Sequence, residues 1–167
     1  MAALLSKYTL FAGAFDYPGP RTAGVLSGVS RMLETCCGEA AEEFNRFSAG
    51  FMVNDLHGQE EYFIRTFEVE ALVTMDTGYL LFGEDYKRGA FLALMQEEQN
   101  LAGNPLGHEL ADHLPNVLRL LPKMNDVTTA IELACCLVVP AVGMMVAKLE
   151  GSGNYYFHAF KALHIAL

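Results

Sequence analysis

The stretch 71–105, ALVTMDTGYLLFGEDYKRGAFLALMQEEQNLAGNP, decides the fold class of this chain. Apolar side chains recur there every three or four residues, as on one face of a helix; they are Leu72, Met75, Tyr79 and Phe82. The pattern predicts that this helix ends at Gly83. Glu84 and Asp85 should begin the next helix, because carboxylates stabilise the positive end of the helix dipole. That helix should continue to the stop at 102–105, Ala-Gly-Asn-Pro.

The rest of the chain has the same helical spacing and no convincing strand alternation. In the N-terminal part we predict a helix through Leu4–Phe15, a second from Val25 to near Cys37-Gly38 and a third from Ala40 to about Asp55. Gly58 then opens a more polar stretch that leads into Ile64 and Phe67. Towards the C-terminus we predict helices from Leu110 to about Met124, from Asp126 to about Leu149, and from Asn154 onwards. The sequence therefore predicts one all-α domain over residues 1–167, a compact bundle of about seven to nine helices.

The composition excludes several classes of protein. Of the 167 residues, 52% are hydrophobic, and 20 acidic against 11 basic side chains give a net charge of −9. So apolar a chain is not intrinsically disordered. Its negative charge argues against general nucleic-acid binding and suits basic partners.

We expect a cytoplasmic protein with no membrane span. The N-terminus lacks the basic region of a signal peptide. The longest uncharged stretch, Leu133–Ala147, is shorter than the roughly 18 residues typical of a spanning helix. It contains Pro140, so we expect a buried core helix that is kinked at the proline.

The four cysteines form two adjacent pairs, Cys36-Cys37 and Cys135-Cys136. Neighbouring side chains on a helix point about 100° apart, so neither pair makes the Cys-x-x-Cys unit of a zinc or redox site. Four thiols that meet in space are the alternative, but we expect small buried hydrophobic residues in a reducing compartment.

The sharpest polar cluster is Glu109, Asp112 and His113, within about one turn of a predicted helix. At spacing i, i+3, the two carboxylates can face the same way. One interpretation is a solvated first helical turn whose acids cap the helix. The other is an anionic hook for a basic ligand.

A metal site is a weaker interpretation of this cluster. His108 and His113 are five residues apart, not the four of a zinc-protease helix. A di-iron bundle needs Glu-x-x-His twice, and this chain has no second copy. A small helical metal-dependent enzyme that uses Glu109, Asp112 and His113 remains the alternative.

Eight methionines add a possible binding surface. Flexible thioethers suit grooves that accept varied apolar peptides, although ordinary core filling is the simpler interpretation for each one. Motifs for a nucleophile elbow or a phosphate-binding loop are absent from the sequence.

Three stretches together resemble a known family. They are 62–69, 79–89 and 109–118, and they occur in the family's order. They resemble the TorD/DmsD/NarJ group of redox-enzyme maturation chaperones, most closely its NarJ-like (nitrate reductase delta subunit) branch. The segment Asn154-Tyr155-Tyr156-Phe157 also looks like the Asn-Pro-Tyr segment of that branch, with Tyr155 in place of the proline. The resemblance extends from about residue 60 to the end.

The resemblance implies an all-helical chaperone that is not an enzyme. Such a protein binds the N-terminal peptide, often a twin-arginine signal, of a molybdenum-cofactor oxidoreductase, and holds the apoenzyme until cofactor insertion. No cofactor would be bound stably, because the molybdenum cofactor belongs to the client, and the chaperone would be a monomer or a domain-swapped dimer.

The family's Glu-x-x-Asp-His hook falls on Glu109, Asp112 and His113, with Ala111 where the family commonly has proline. The peptide-binding set implied by the resemblance and the apolar spacing is Glu109, Asp112, His113, Leu114, Tyr79, Phe82 and Met75. Gly83, Arg88 and Gly89 match the family's central helix-turn-helix, and we expect Arg88 to pair with Glu84 or Asp85.

Overall fold

The computed structural model describes residues 7–69 and 71–167, so the predicted role of Leu4 lies outside the described residues. Within these ranges the chain is all-helical, and the predicted fold class is confirmed. It forms nine helices when 127–149 is counted as one continuous helix. They are α1 Lys7–Ala14, α2 Thr22–Cys36, α3 Gly38–Phe51, α4 Leu56–Phe67, α5 Thr77–Phe82, α6 Tyr86–Leu101, α7 Leu114–Leu120, α8 Val127–Leu149 and α9 Tyr156–Ala166.

Both terminal helices of the described chain, α1 and α9, pack into the core. Helix α9 packs mainly against α3 and α8, and α1 packs against α2 and α7. Tyr156 is fully buried at the start of α9, where it contacts the rings of Phe47 and Phe67. Next to it, Gly50 leaves room for the ring of Tyr155, because a Cβ at Gly50 would lie 2.3 Å from that ring. The Asn154–Phe157 segment therefore contributes Tyr156 to the core, while Tyr155 packs on Gly50 with 40% of its surface exposed.

Helix α8 contains a π-helical turn at Ala134–Val138, just before Pro140. Pro140 has no N–H to donate to the carbonyl four residues earlier, and the chain widens its turn just before the proline. The N–H of Val139 donates to the carbonyl of Ala134, five residues back. The irregular turn thus has an identifiable cause in the sequence, while the kink at Pro140 stays a prediction.

Among the described residues, α8 is the one helix long and apolar enough to cross a membrane by length and composition, with a mean hydropathy of 2.2 over its most apolar window. In this fold 39% of that window is buried. Ala141, Val142 and Met145 are fully buried in the core. The expected absence of a membrane span stays a prediction.

The cysteines differ from expectation. Cys36, Cys135 and Cys136 are exposed, Cys37 is half-buried, and all four are free thiols. The prediction that they are buried is therefore wrong for three of them. On α8 the reason is that Ala134, Leu137 and Val138 occupy the buried positions around the pair, which leaves the adjacent thiols on the outer side.

Several helix boundaries differ as well. The helix predicted to run to about Asp55 ends at Phe51. The helix predicted through Leu72 begins only at Thr77, since 71–76 is not helical. There the N–H of Leu72 donates to the carbonyl of Thr66, and the carbonyl of Met75 accepts from Leu114. These bonds to other parts of the chain replace the local bonds of a helix. The helix predicted from Leu110 likewise begins at Leu114.

Candidate functional site

The segment just before the second stretch of the family resemblance meets the third stretch. The segment before α5 runs antiparallel to the segment before α7, with an isolated bridge between Asp76 and His113. The N–H of Thr77 donates to the carbonyl of Asp112 over 3.1 Å, and the N–H of Leu114 donates to the carbonyl of Met75 over 2.9 Å. These bonds hold together two loops that lie more than 30 residues apart in the chain.

Asp112 is the buried centre of this junction. Its side chain is inaccessible to solvent, and Oδ2 accepts a hydrogen bond from the N–H of Gly78 over 2.9 Å. Thr77 Oγ1 donates to the carbonyl of Asp112 over 2.8 Å. A Cβ at Gly78 would lie 2.7 Å from Oδ2, so glycine is needed for this close approach. Asp112 thus holds the first turn of α5 from a distant part of the chain.

The environment of Asp112 raises the pKa of its carboxyl group. Burial is the main cause, and the neighbouring carboxylate of Asp76 adds to it. The N–H of Gly78 and the charge of Arg88 act in the opposite direction without cancelling the rise. The second oxygen, Oδ1, is buried and has no hydrogen-bond partner within residues 7–69 and 71–167. A charge in this position is costly for the folded state.

Arg88 lies on Tyr79 and not beside the acids of its own helix start. Its guanidinium carbon is 5.2 Å from the centre of the Tyr79 ring, and one guanidinium nitrogen is 3.6 Å from Asp76 Oδ2. The predicted pairing with Glu84 or Asp85 is wrong. Asp85 instead caps α6, where Oδ1 accepts from the N–H of Lys87.

The turn at Gly83 makes this arrangement possible. Gly83 has φ +62°, a conformation that favours glycine, and it ends α5 as predicted. Gly89 lies in α6, and a Cβ there would meet no atom within 4 Å. Of the two glycines assigned to the helix-turn-helix, only Gly83 has a visible conformational role.

His113 and Glu109 complete an anionic edge. Nδ1 of His113 is 3.2 Å from Asp76 Oδ1 and 3.8 Å from Glu109 Oε2. The imidazole is mostly buried, whereas 61% of the Glu109 side chain is exposed. Two carboxylates thus approach the same nitrogen of His113, that of Glu109 largely open to solvent and that of Asp76 27% exposed.

The structure divides the predicted peptide-binding residues into two groups. Tyr79, Phe82 and Glu109 are exposed and accessible to a ligand. Met75, Asp112 and Leu114 are buried and the His113 side chain is 15% exposed, so in this conformation these four offer little or no surface to a ligand. The expectation that Glu109 and Asp112 share a helix face is wrong, because both residues lie in turns before α7.

Asp76 was missed in the sequence, although it contacts both Arg88 and His113. The sequence did contain a local signal for its position, because an aspartate is a common residue directly before the first turn of a helix. The sequence pattern instead placed Asp76 inside the helix predicted from Leu72.

The described residues contain no group of three or more His, Cys, Asp or Glu side chains arranged to hold a metal ion. The metal-dependent enzyme gains no supporting observation from the geometry.

The chain matches no family model and no curated protein. Its function is therefore inferred from its residues and their geometry.

Proposed function

We propose that this protein is an assembly chaperone that binds the N-terminal peptide of a molybdenum-cofactor oxidoreductase and holds that enzyme for cofactor insertion. The observation that carries the proposal is the meeting of Tyr79, Asp76, His113 and Glu109 on one surface. Tyr79 belongs to the stretch 79–89 of the family resemblance, and His113 and Glu109 belong to the stretch 109–118, whereas Asp76 lies just before the first of these. The backbone bonds of Met75 and Thr77 to Leu114 and Asp112 join the two segments.

The chemistry of this surface suits a signal-like peptide, which has arginines next to an apolar run. Exposed Tyr79 and Phe82 offer aromatic faces to apolar or guanidinium groups, and Phe82 is supported by Phe91 at a ring distance of 5.3 Å. Carboxylates of Asp76 and Glu109 pair with arginine in a defined orientation. The net charge of −9 speeds the encounter with a basic peptide.

Calorimetric titration with a synthetic peptide tests the proposal. The peptide has two consecutive arginines followed by a run of leucine and alanine. The double variant Asp76→Asn, Glu109→Gln should weaken binding about tenfold, because two charged contacts to the arginines are lost. The loss should shrink at high salt, where the native protein also binds less tightly.

The matched control is Glu39→Gln, Glu42→Gln on α3, which removes the same charge from two exposed positions. It should bind the peptide as the native protein does, apart from a small effect of net charge. Native-like affinity in the Asp76, Glu109 variant, with an unchanged circular dichroism spectrum, would contradict the assignment of the site. Failure of the native protein to bind would contradict the proposed function.

A further inference from the structure

A second surface lies between the loop after α1 and the outer face of α4. It is an open groove of about 390 Å³, lined by Tyr17, His57, Glu60, Glu61, Ile64, Arg65 and Val69. Three of these side chains, Tyr17, Ile64 and Val69, form an apolar floor. The others form a charged rim.

Two of the three apolar side chains in this groove are largely exposed to solvent. Tyr17 is 51% exposed and Val69 is 62% exposed. The Tyr17 ring stands edge-on to Phe63, with the ring centres 5.5 Å apart. At the other side, the N–H of Val69 donates to the carbonyl of Ile64 over 2.9 Å. Both exposed residues are thus held in place by contacts to α4.

The rim carries an excess of negative charge. Arg65 pairs with Glu61 over 2.5 Å, so these two charges balance each other. Among the described residues, Glu60 makes one ion-pair contact, with His57 at 3.9 Å. Glu60 lines the groove, and the exposed Glu68 directly precedes the lining residue Val69. Burial, and then the charges of Glu60 and Glu68, raise the pKa of the Tyr17 hydroxyl.

We propose that this groove is a docking site for a partner segment that has an aliphatic side chain next to a lysine or arginine. The aliphatic side chain and the methylene stem of the basic residue cover Tyr17, Ile64 and Val69. The cationic end reaches Glu60 and Glu68. Charge complementarity selects this occupant, since a second copy of the chain would bring another net charge of −9 to an acidic rim.

The groove involves the one stretch of the resemblance that the proposed peptide site does not use. Ile64, Arg65, Glu68 and Val69 belong to the stretch 62–69, whereas the peptide site uses 76–88 and 109–113. A docking role for the outer face of α4 accounts for the exposure of Arg65, Glu68 and Val69.

Methyl NMR spectroscopy of the full chain with the probe acetyl-Leu-Lys-Leu-amide tests the site. The probe should shift the methyl resonances of Ile64 and Val69 saturably, with Kd of the order of a millimolar for so small a ligand. Acetyl-Leu-Gln-Leu-amide should bind about threefold to tenfold more weakly, because it lacks the cation.

The variant Glu60→Gln, Glu68→Gln should bind the lysine probe as weakly as the glutamine probe. Glu39→Gln, Glu42→Gln is the matched control and should keep the preference for lysine. Equal binding of the two probes by the native protein, or a preference that persists in the Glu60, Glu68 variant, would overturn the proposal. Saturable shifts confined to the surface around Tyr79 would also overturn it, while supporting the proposed function.

Discussion

The side-chain carboxyl group of Asp112 is completely buried. One of its oxygens accepts a hydrogen bond from the N–H of Gly78, and the other has no partner among the described residues. Its pKa is higher in the folded state than the usual value of 3.8. The folded state therefore holds the proton more tightly than the unfolded state. It follows that this residue lowers the free energy of unfolding as pH rises from below 3.8 through its folded pKa.

Asp112→Asn should be at least as stable as the native protein at pH 7, because the amide keeps an acceptor for Gly78 and carries no charge. Its advantage should vanish below pH 3.8. Asp112→Ala should lose about 1–3 kcal/mol, since the N–H of Gly78 is left unpaired. Urea unfolding at a series of pH values measures both effects. An asparagine variant as unstable at pH 7 as the alanine variant would show that the charge itself stabilises the fold.

Asp112 also shows which features of the site could not be predicted from the sequence. Residue types and spacing identified Glu109, Asp112 and His113 as candidate site residues. Local chemistry also predicted the end of α5 at Gly83 and the start of α6 near Asp85. The burial of Asp112 was not predictable, because it depends on bonds to Thr77 and Gly78, about 35 positions earlier in the chain. Local periodicity contains no information about such pairings.

At the scale of elements, Glu43 ties α3 to α9. This side chain is buried, and its carboxylate accepts from Lys161 Nζ over 2.8 Å and contacts His158 Nδ1 at 2.7 Å. Arg46 of α3 adds a contact at 3.4 Å. Burial alone would raise the pKa of Glu43, but the hydrogen bonds and charges of Lys161 and His158 outweigh burial and lower it. The pair of helices that packs most closely is thus also joined by charge.

Glu43→Gln should lower the free energy of unfolding by about 1–3 kcal/mol at pH 7, because the charged bonds to Lys161 and His158 are lost. The sign of its pH dependence is opposite to that of Asp112. A lowered pKa gives stability that is present above the usual value of 4.5 and is lost as pH falls through the folded pKa. The difference between native and variant protein should therefore shrink in acid.

The adjacent Glu42→Gln is the matched control, since Glu42 is exposed on the same helix. It should change stability by less than about 0.5 kcal/mol. Denaturant titrations of the three proteins at pH 7 and at pH 3 measure the difference. Equal stability of the Glu43 and Glu42 variants at pH 7 would show that the buried network gives no net stabilisation.

At the scale of the whole molecule, the two ends of the described chain depend on each other. Lys7 Nζ donates to the carbonyl of Ala166 over 2.7 Å, and Asp16 pairs with Arg119. Asn154 donates to Thr66 Oγ1 across 88 positions of the chain. Helix α1 packs against α7, and α9 packs against α3, so each half of the sequence completes the core of the other. A single domain over residues 1–167 remains the prediction that these connections favour.

That prediction has a direct measurement in unfolding experiments. We expect one cooperative transition, in which the far-ultraviolet signal of the helices and the near-ultraviolet signal of the seven tyrosines change at the same denaturant concentration. The tyrosines report on several places at once: Tyr8 on the contact between the chain ends, Tyr156 on the core, and Tyr79 on the candidate site. A tyrosine signal lost before the helical signal would mean that one of these regions unfolds separately. The peptide of the binding experiment should move the midpoint of both signals together, because a ligand of the folded state stabilises a cooperative domain as a unit.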